Sequence, residues 1–195
     1  MKHLLKYNEL FSSSKRVLII HGYGVNSEGC FYPWLKSELE KMGYVVDLPS
    51  LPDSDPNIDV QIDYIMENYP DKMDIIIGHS LGSVAALKLI EKLDYKIDDL
   101  ILVSGFIDNN FYEGDEDIDG LANICDWKFN FNHIISKIEN IYILRPEVDT
   151  SVTTQQTEDL SIALDSPIHI FKQTEDHACG ETEPGILNYI KSKVK

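Results

Sequence analysis

Short apolar runs recur along this chain, alternating with stretches whose apolar residues return every three or four positions. The runs at 16–20 (Arg16-Val17-Leu18-Ile19-Ile20), 44–48, 73–77, 100–103, 141–144 and 168–171 carry almost no polar alternation. Flat apolar runs of that length predict strands covered on both faces. Between them, residues 35–41 end near Gly43 and predict a helix. Residues 58–69 place Ile58, Ile62, Ile65 and Met66 on one helical face. Further helices are predicted from Ser83 to about Leu93, over 154–164 and over 184–193. Strands alternating with helices predict an α/β protein, a mainly parallel sheet sandwiched between helical layers. Residues 104–131 break the rhythm. They are too long for a simple connection and predict a small cap or pocket wall, with Phe106, Phe111, Tyr112 and Trp127 as its apolar lining. There is no internal repeat and no low-complexity segment.

Composition narrows this picture. A chain of 195 residues with 43% hydrophobic content makes one domain with a full core. No apolar run approaches the ~20 residues of a membrane helix. Charge interrupts Met1 to Glu9 too early for a signal-peptide core. With 33 acidic against 17 basic residues and a formal charge of −16, neither nucleic acid nor an anionic membrane is an expected partner. Cys30, Cys125 and Cys179 are scattered and odd in number, which argues against a disulfide framework and for a reducing, cytoplasmic setting.

The candidate chemistry begins at Gly78-His79-Ser80-Leu81-Gly82, between the third predicted strand and the helix that follows it. A serine on a sharp turn between strand and helix is the nucleophile elbow of α/β-hydrolases, and the glycines allow strand and helix to cross closely. The N-terminal N–H groups of the helix then face the serine, where they stabilise negative charge. A serine nucleophile needs a base and an acid, and in this arrangement the chain order is Ser, Asp/Glu, His. The loop after the fifth strand, Arg145-Pro146-Glu147-Val148-Asp149-Thr150-Ser151-Val152, offers Asp149 as the acid, with Glu147 as runner-up. The loop after the sixth strand holds His177 as the candidate base. The other histidines fit less well: His169 lies within a strand, and His3 and His133 lie far from strand ends. His79 is read as structural, pointing away from Ser80. His21-Gly22-Tyr23-Gly24 closes the first strand, so the N–H groups of Tyr23 and Leu81 are the candidate oxyanion donors.

These residues carry a family resemblance over most of the chain. The sequence resembles the small α/β serine hydrolases related to retinoblastoma-binding protein 9 and its bacterial relatives. The matching segments are His21-Gly22-Tyr23-Gly24 with Trp34 and Leu35, the Ser80 elbow, Leu102-Val103-Ser104, Trp127-Lys128-Phe129 and Asp149-Thr150-Ser151-Val152. The resemblance implies a Ser80–His177–Asp149 triad acting on small esters or amides without a cofactor. Analogy with hydrolases that lack the first two strands implies a minimal six-stranded α/β-hydrolase sheet in the order 2-1-3-4-5-6. The chain departs from the family pattern at Arg145-Pro146, Thr153 and Asp176.

Two further signals compete with this reading. Asp115-Glu116-Asp117-Ile118-Asp119-Gly120, ending at Asp126, has the spacing of a calcium loop but lacks flanking helices, so a solvated acidic loop is expected and no metal. The loops at 22–33, 49–61, 104–126, 146–157 and 173–185 contain no lysine or arginine. In a parallel sheet these loops line the mouth of the site, so the expected substrate is a small neutral or cationic acyl compound. The alternatives are a protein-binding scaffold with little turnover and an acyltransferase.

Overall fold

The structure, a computed structural model, describes residues 14–52, 57–108 and 127–194. Strands Arg16–Ile20 (β1), Val45–Asp47 (β2), Ile75–His79 (β3), Ile97–Val103 (β4), Ile138–Pro146 (β5) and Ile168–Phe171 (β6) form one sheet. Their order is β2-β1-β3-β4-β5-β6 with every neighbouring pair parallel, as the hydrolase analogy implies. The helices are Tyr32–Lys41 (α1), Ile58–Asn68 (α2), Leu81–Lys92 (α3), Phe131–Ser136 (α4), Thr154–Leu164 (α5) and Pro184–Lys193 (α6).

Strand pleating divides the core in two. Val17, Ile19, Ile75, Ile77, Ile101, Val103 and Leu144 face α1 and α6. Leu18, Ile20, Ile76, Leu100, Leu102 and Ile143 face α2, α3, α4 and α5. Successive side chains point to opposite faces, so strands buried on both sides need apolar residues at every position, which is the flat pattern of the sequence. β4 and β5 start earlier than their apolar runs because Asp99 and Asn140 pair across them, the Asn140 amide donating to Asp99 at 3.1 Å. A hydrogen-bonded polar pair extends the ladder without a hydrophobic signature. α1 likewise starts three residues before the predicted 35, since Pro33 falls in its first turn, where a missing N–H is harmless.

The strands end nearly level. Ile20 pairs with Gly78, His79 with Val103, Val103 with Leu144, and Pro146 with Phe171. The chain therefore leaves β1, β3, β4, β5 and β6 along one edge, carrying Gly22, Ser80, Ser104, Asp149 and His177 out together. Of the 104–131 excursion, Phe106 is buried against the core and its ring lies 6.2 Å from that of Trp127. Asn130 caps α4 by accepting from the His133 N–H at 3.2 Å. Phe111, Tyr112 and the calcium-like run lie outside the described residues.

Candidate active site

Ser80 follows β3 directly and caps α3, with φ 54° and ψ −124°. A non-glycine residue at positive φ is strained, and it persists only where its surroundings leave no alternative. Here the surroundings are backbone. A methyl group at Gly78 would lie 2.6 Å from the Gly82 carbonyl oxygen, and one at Gly82 would overlap the carbonyl oxygen of Ile20. The elbow glycines thus let α3 cross β1 and β3 at backbone contact, and the chain turns sharply between them. The Ser80 N–H is held by the Val103 carbonyl at 2.9 Å, and its carbonyl accepts from the Ser83 N–H at 2.9 Å. Gly22 packs against the nucleophile; a methyl there would lie 3.1 Å from Ser80 Cβ. Leu81 opens α3 directly after Ser80, and Tyr23 follows Gly22 on the loop after β1. The Leu81 N–H, at the helix start, has no intrahelical acceptor.

His177 reaches Asp149. Its Nδ1 lies 2.9 Å from Asp149 Oδ1, with side-chain exposures of 17% and 1%. The same Asp149 oxygen accepts from the N–H groups of Ser151 at 3.1 Å and Val152 at 2.8 Å. Burial works to raise the Asp149 carboxyl, but the His177 contact, the Val152 N–H and the nearby Ser104 hydroxyl outweigh it and hold it below the ordinary carboxylate range. Glu147 is exposed, and its N–H is fixed by the Phe171 carbonyl at 2.9 Å. Of the two carboxylates open in the sequence, Asp149 is the one that meets the histidine. His177 also lies beside the elbow, its ring 4.9 Å from that of His79.

Asp176, Thr153 and Arg145 each brace the loops of the site. Asp176 accepts from the Thr150 N–H at 3.0 Å, from the Thr150 hydroxyl, and from the His177 N–H at 2.8 Å. It ties the acid loop to the base loop. Thr153 begins α5 with a capping box, exchanging hydrogen bonds of 3.1 and 3.0 Å with Gln156. Arg145 donates to the Pro146 carbonyl and the Thr154 hydroxyl, both at 2.9 Å, bracing the same loop. Sequence reasoning missed Asp176 and also Glu183. Glu183 is fully buried and accepts from the Thr174 N–H and hydroxyl, the Glu175 N–H and the Gly180 N–H. Its only local signal is a carboxylate placed just before Pro184, the start of a helix.

One expectation is corrected. Cys30 and Cys179 form a disulfide, their Cα atoms 4.5 Å apart across 149 positions of sequence. An odd cysteine count and wide spacing say nothing against a pair whose loops meet at one sheet edge. The bridge also removes the cysteine argument for a reducing cytoplasmic compartment. Cys125 lies outside the described residues. Among the described residues no helix is long and apolar enough to cross a membrane, and no cluster of His, Cys, Asp or Glu could hold a metal. His21 is structural: its Nε2 accepts from the Leu51 N–H at 3.1 Å, which leaves Nδ1 to donate to the Gly22 carbonyl at 2.9 Å. His169 packs on Tyr189, ring centroids 4.6 Å apart.

A parallel sheet in this order, with a serine elbow beside a histidine–carboxylate pair, is an α/β-hydrolase architecture. The chain belongs to the family described as alpha/beta hydrolase of unknown function (DUF900), whose model matches residues 31–182. Among individual proteins it is similar to "Putative hydrolase YdeN" of Bacillus subtilis (strain 168), 26% identical over 161 residues, or 80% of this chain and 82% of that protein. The crystal structure of the B. subtilis ydeN gene product superposes with a TM-score of 0.80 at 24% identity, covering 92% of this chain and 98% of the other. A methylesterase protein, MES16 from Arabidopsis, gives 0.69 at 12% identity, covering 92% and 98%. A lipase-esterase related protein from Clostridium acetobutylicum ATCC 824 gives 0.66 at 16% identity, covering 93% and 96%. At these identities the structural likenesses establish a shared fold.

Proposed function

We propose that the protein is a serine hydrolase that cleaves small ester or amide substrates through an acyl-enzyme on Ser80. The observation that carries this reading is the 2.9 Å contact between His177 Nδ1 and the buried Asp149 carboxylate, beside the serine elbow. The carboxylate accepts the Nδ1 proton, so the lone pair of the imidazole sits on Nε2, the nitrogen available to a serine hydroxyl. Ser80 Oγ attacks the substrate carbonyl while His177 takes its proton, and the N–H groups of Tyr23 and Leu81 receive the oxyanion. The protonated imidazole then gives its proton to the leaving alcohol or amine. Water, deprotonated by the same histidine, releases the acid and restores Ser80. No cofactor enters this sequence.

A finer kinship, with the small serine hydrolases related to retinoblastoma-binding protein 9, is part of the same proposal. It rests on the matching motifs around Gly22, Ser80, Ser104 and Asp149. The mouth loops carry Asp and Glu but no Lys or Arg. Arg145, at their border, is turned into its own loop. The entrance therefore favours neutral or cationic acyl compounds.

The test is covalent labelling with a fluorophosphonate probe, expected in the native protein and lost in Ser80→Ala. An unlabelled native protein would instead favour the non-catalytic scaffold. A matched pair of esters, one bearing a carboxylate and one an amine, tests the entrance at low salt, and faster turnover of the carboxylate ester would exclude it. Product analysis with competing amines and alcohols separates hydrolysis from acyl transfer.

A further inference from the structure

A buried hydrogen-bond chain joins the two loops of the site through residues the mechanism does not use. The Gly22 N–H donates to the Tyr32 hydroxyl at 3.0 Å, that hydroxyl lies 2.6 Å from His79 Nδ1, and His79 Nε2 lies 2.9 Å from the His177 carbonyl oxygen. Tyr32 and His79 are 0% and 2% exposed. Groups so buried must find their partners within the chain.

The partners fix the direction of every bond. A carbonyl oxygen only accepts, so the His79 proton sits on Nε2. The Nδ1 of that neutral imidazole is then a lone pair, and it accepts the Tyr32 proton. The Tyr32 oxygen, having given its proton, accepts from Gly22. Burial favours the neutral form at both centres, pushing the His79 imidazole down to about 3 and the Tyr32 phenol well above its ordinary value. One proton arrangement therefore satisfies the whole chain.

What the chain holds is strained. His177 and Ala178 sit at φ 54° and 52°, a region that costs a non-glycine residue on the order of 1 kcal/mol or more. The His177 carbonyl lies inside that turn, so the bond from His79 fixes the peptide between these two strained residues. At its other end the chain fixes the N–H of Gly22, the residue before Tyr23.

We propose that His79 and Tyr32 are positioning residues: together they hold the His177 backbone in the turn that sets its imidazole on Asp149, and couple that turn to the loop bearing the Tyr23 N–H. The kinetic part of this proposal rests on the serine-hydrolase reading. The hydrogen-bond part does not.

The experiment combines nitrogen-15 NMR of the histidine side chains with kinetics of Tyr32→Phe, His79→Gln and His79→Ala. In the native protein His79 is expected as the Nε2-protonated neutral tautomer at pH 6. The proton between His177 Nδ1 and Asp149 should give a downfield signal that shifts or broadens in Tyr32→Phe and His79→Ala. Turnover should fall about tenfold in Tyr32→Phe and about a hundredfold in His79→Ala with KM nearly unchanged, each tenfold matching about 1.4 kcal/mol of transition-state stabilisation. His79→Gln, whose amide retains a donor for the His177 carbonyl, should recover part of that loss. An Nδ1-protonated or charged His79 at pH 6 would overturn the proposal. So would folded variants with native turnover and an unmoved His177 signal. Where a variant fails to fold, the native tautomer and the remaining variants decide. A native protein that neither labels nor turns over esters would sink the hydrolase reading alone, because the tautomer and the His177 signal still report on positioning.

Discussion

The serine side and the histidine side of this site are built by different means. Ser80 is held by its neighbours in sequence and by the strands beside it: Gly78 and Gly82 set the crossing of α3 over the sheet, Ser83 bonds back to the Ser80 carbonyl, and Val103 of β4 takes the Ser80 N–H. His177 is held by residues far away in the chain. Asp176 bonds Thr150, Glu183 accepts the N–H groups of Thr174, Glu175 and Gly180, His79 donates to the carbonyl, and Cys179 is bridged to Cys30 across 149 positions. The nucleophile's geometry is thus a local consequence of packing a helix against a sheet. The base's geometry is an agreement among loops, and any partner that withdraws weakens it.

The largest effects test each side at its centre. Ser80→Ala is expected to abolish fluorophosphonate labelling and lower ester turnover by roughly 10⁴-fold or more, with an unchanged melting temperature. Asp149→Asn should lower kcat by roughly 10³- to 10⁴-fold, because a carboxamide turns the imidazole to the wrong tautomer. A loss below tenfold would remove Asp149 from the acid role.

The next effects fall on the histidine side alone. Reducing Cys30–Cys179, or replacing Cys179 by serine, should lower stability by about 2–4 kcal/mol, read by calorimetry with and without a dithiol. Ester turnover should fall with it. Labelling at Ser80 that stayed at the native rate after reduction would show that the bridge stabilises the fold without setting the base.

Acidification probes the buried network. Burial pushes the His79 imidazole down to about 3 in the folded protein, against about 6.5 for a free imidazole. Below about 6.5 the unfolded chain takes up a proton that the folded protein refuses. This contribution to stability is full above the unfolded value and falls by up to about 1.4 kcal/mol per pH unit as pH drops toward about 3. Asp149, depressed in the folded state, adds a loss of the same sign at more acid pH. The stability lost between pH 7 and pH 5, read from urea melts, should be larger for the native protein than for His79→Gln, and an equal loss would refute this. Smallest of all, Asp176→Ala should cost about 1 kcal/mol, since its hydrogen bonds lie at the surface. It should nonetheless lower kcat more than it raises KM, and an unchanged kcat would leave Asp176 outside the site.

Much of this was legible in the chain. The flat apolar runs marked every strand, though the polar Asp99–Asn140 pair hid where β4 and β5 begin. The elbow was legible because its strain is resolved within a few residues. His177 and Asp149 were legible because parallel connectivity fixes which loops reach the site. The supports of the His177 loop, direct or through His79, were not, because Asp176, Glu183 and Tyr32 look like ordinary loop acids and a helix-start aromatic until the loops meet. The pairing of Cys30 with Cys179 was misread for the same reason.

The amino-acid sequence determined the layers, the strands and the turn that presents Ser80, since hydrophobic periodicity and the Gly78–Gly82 spacing act over a few residues. The strand order followed from analogy with hydrolases. Only the tertiary structure decided which carboxylate meets His177, which cysteines join, and how His79 and Tyr32 share their protons. Those choices depend on distances between loops far apart in the chain, and burial then leaves each donor only one acceptor.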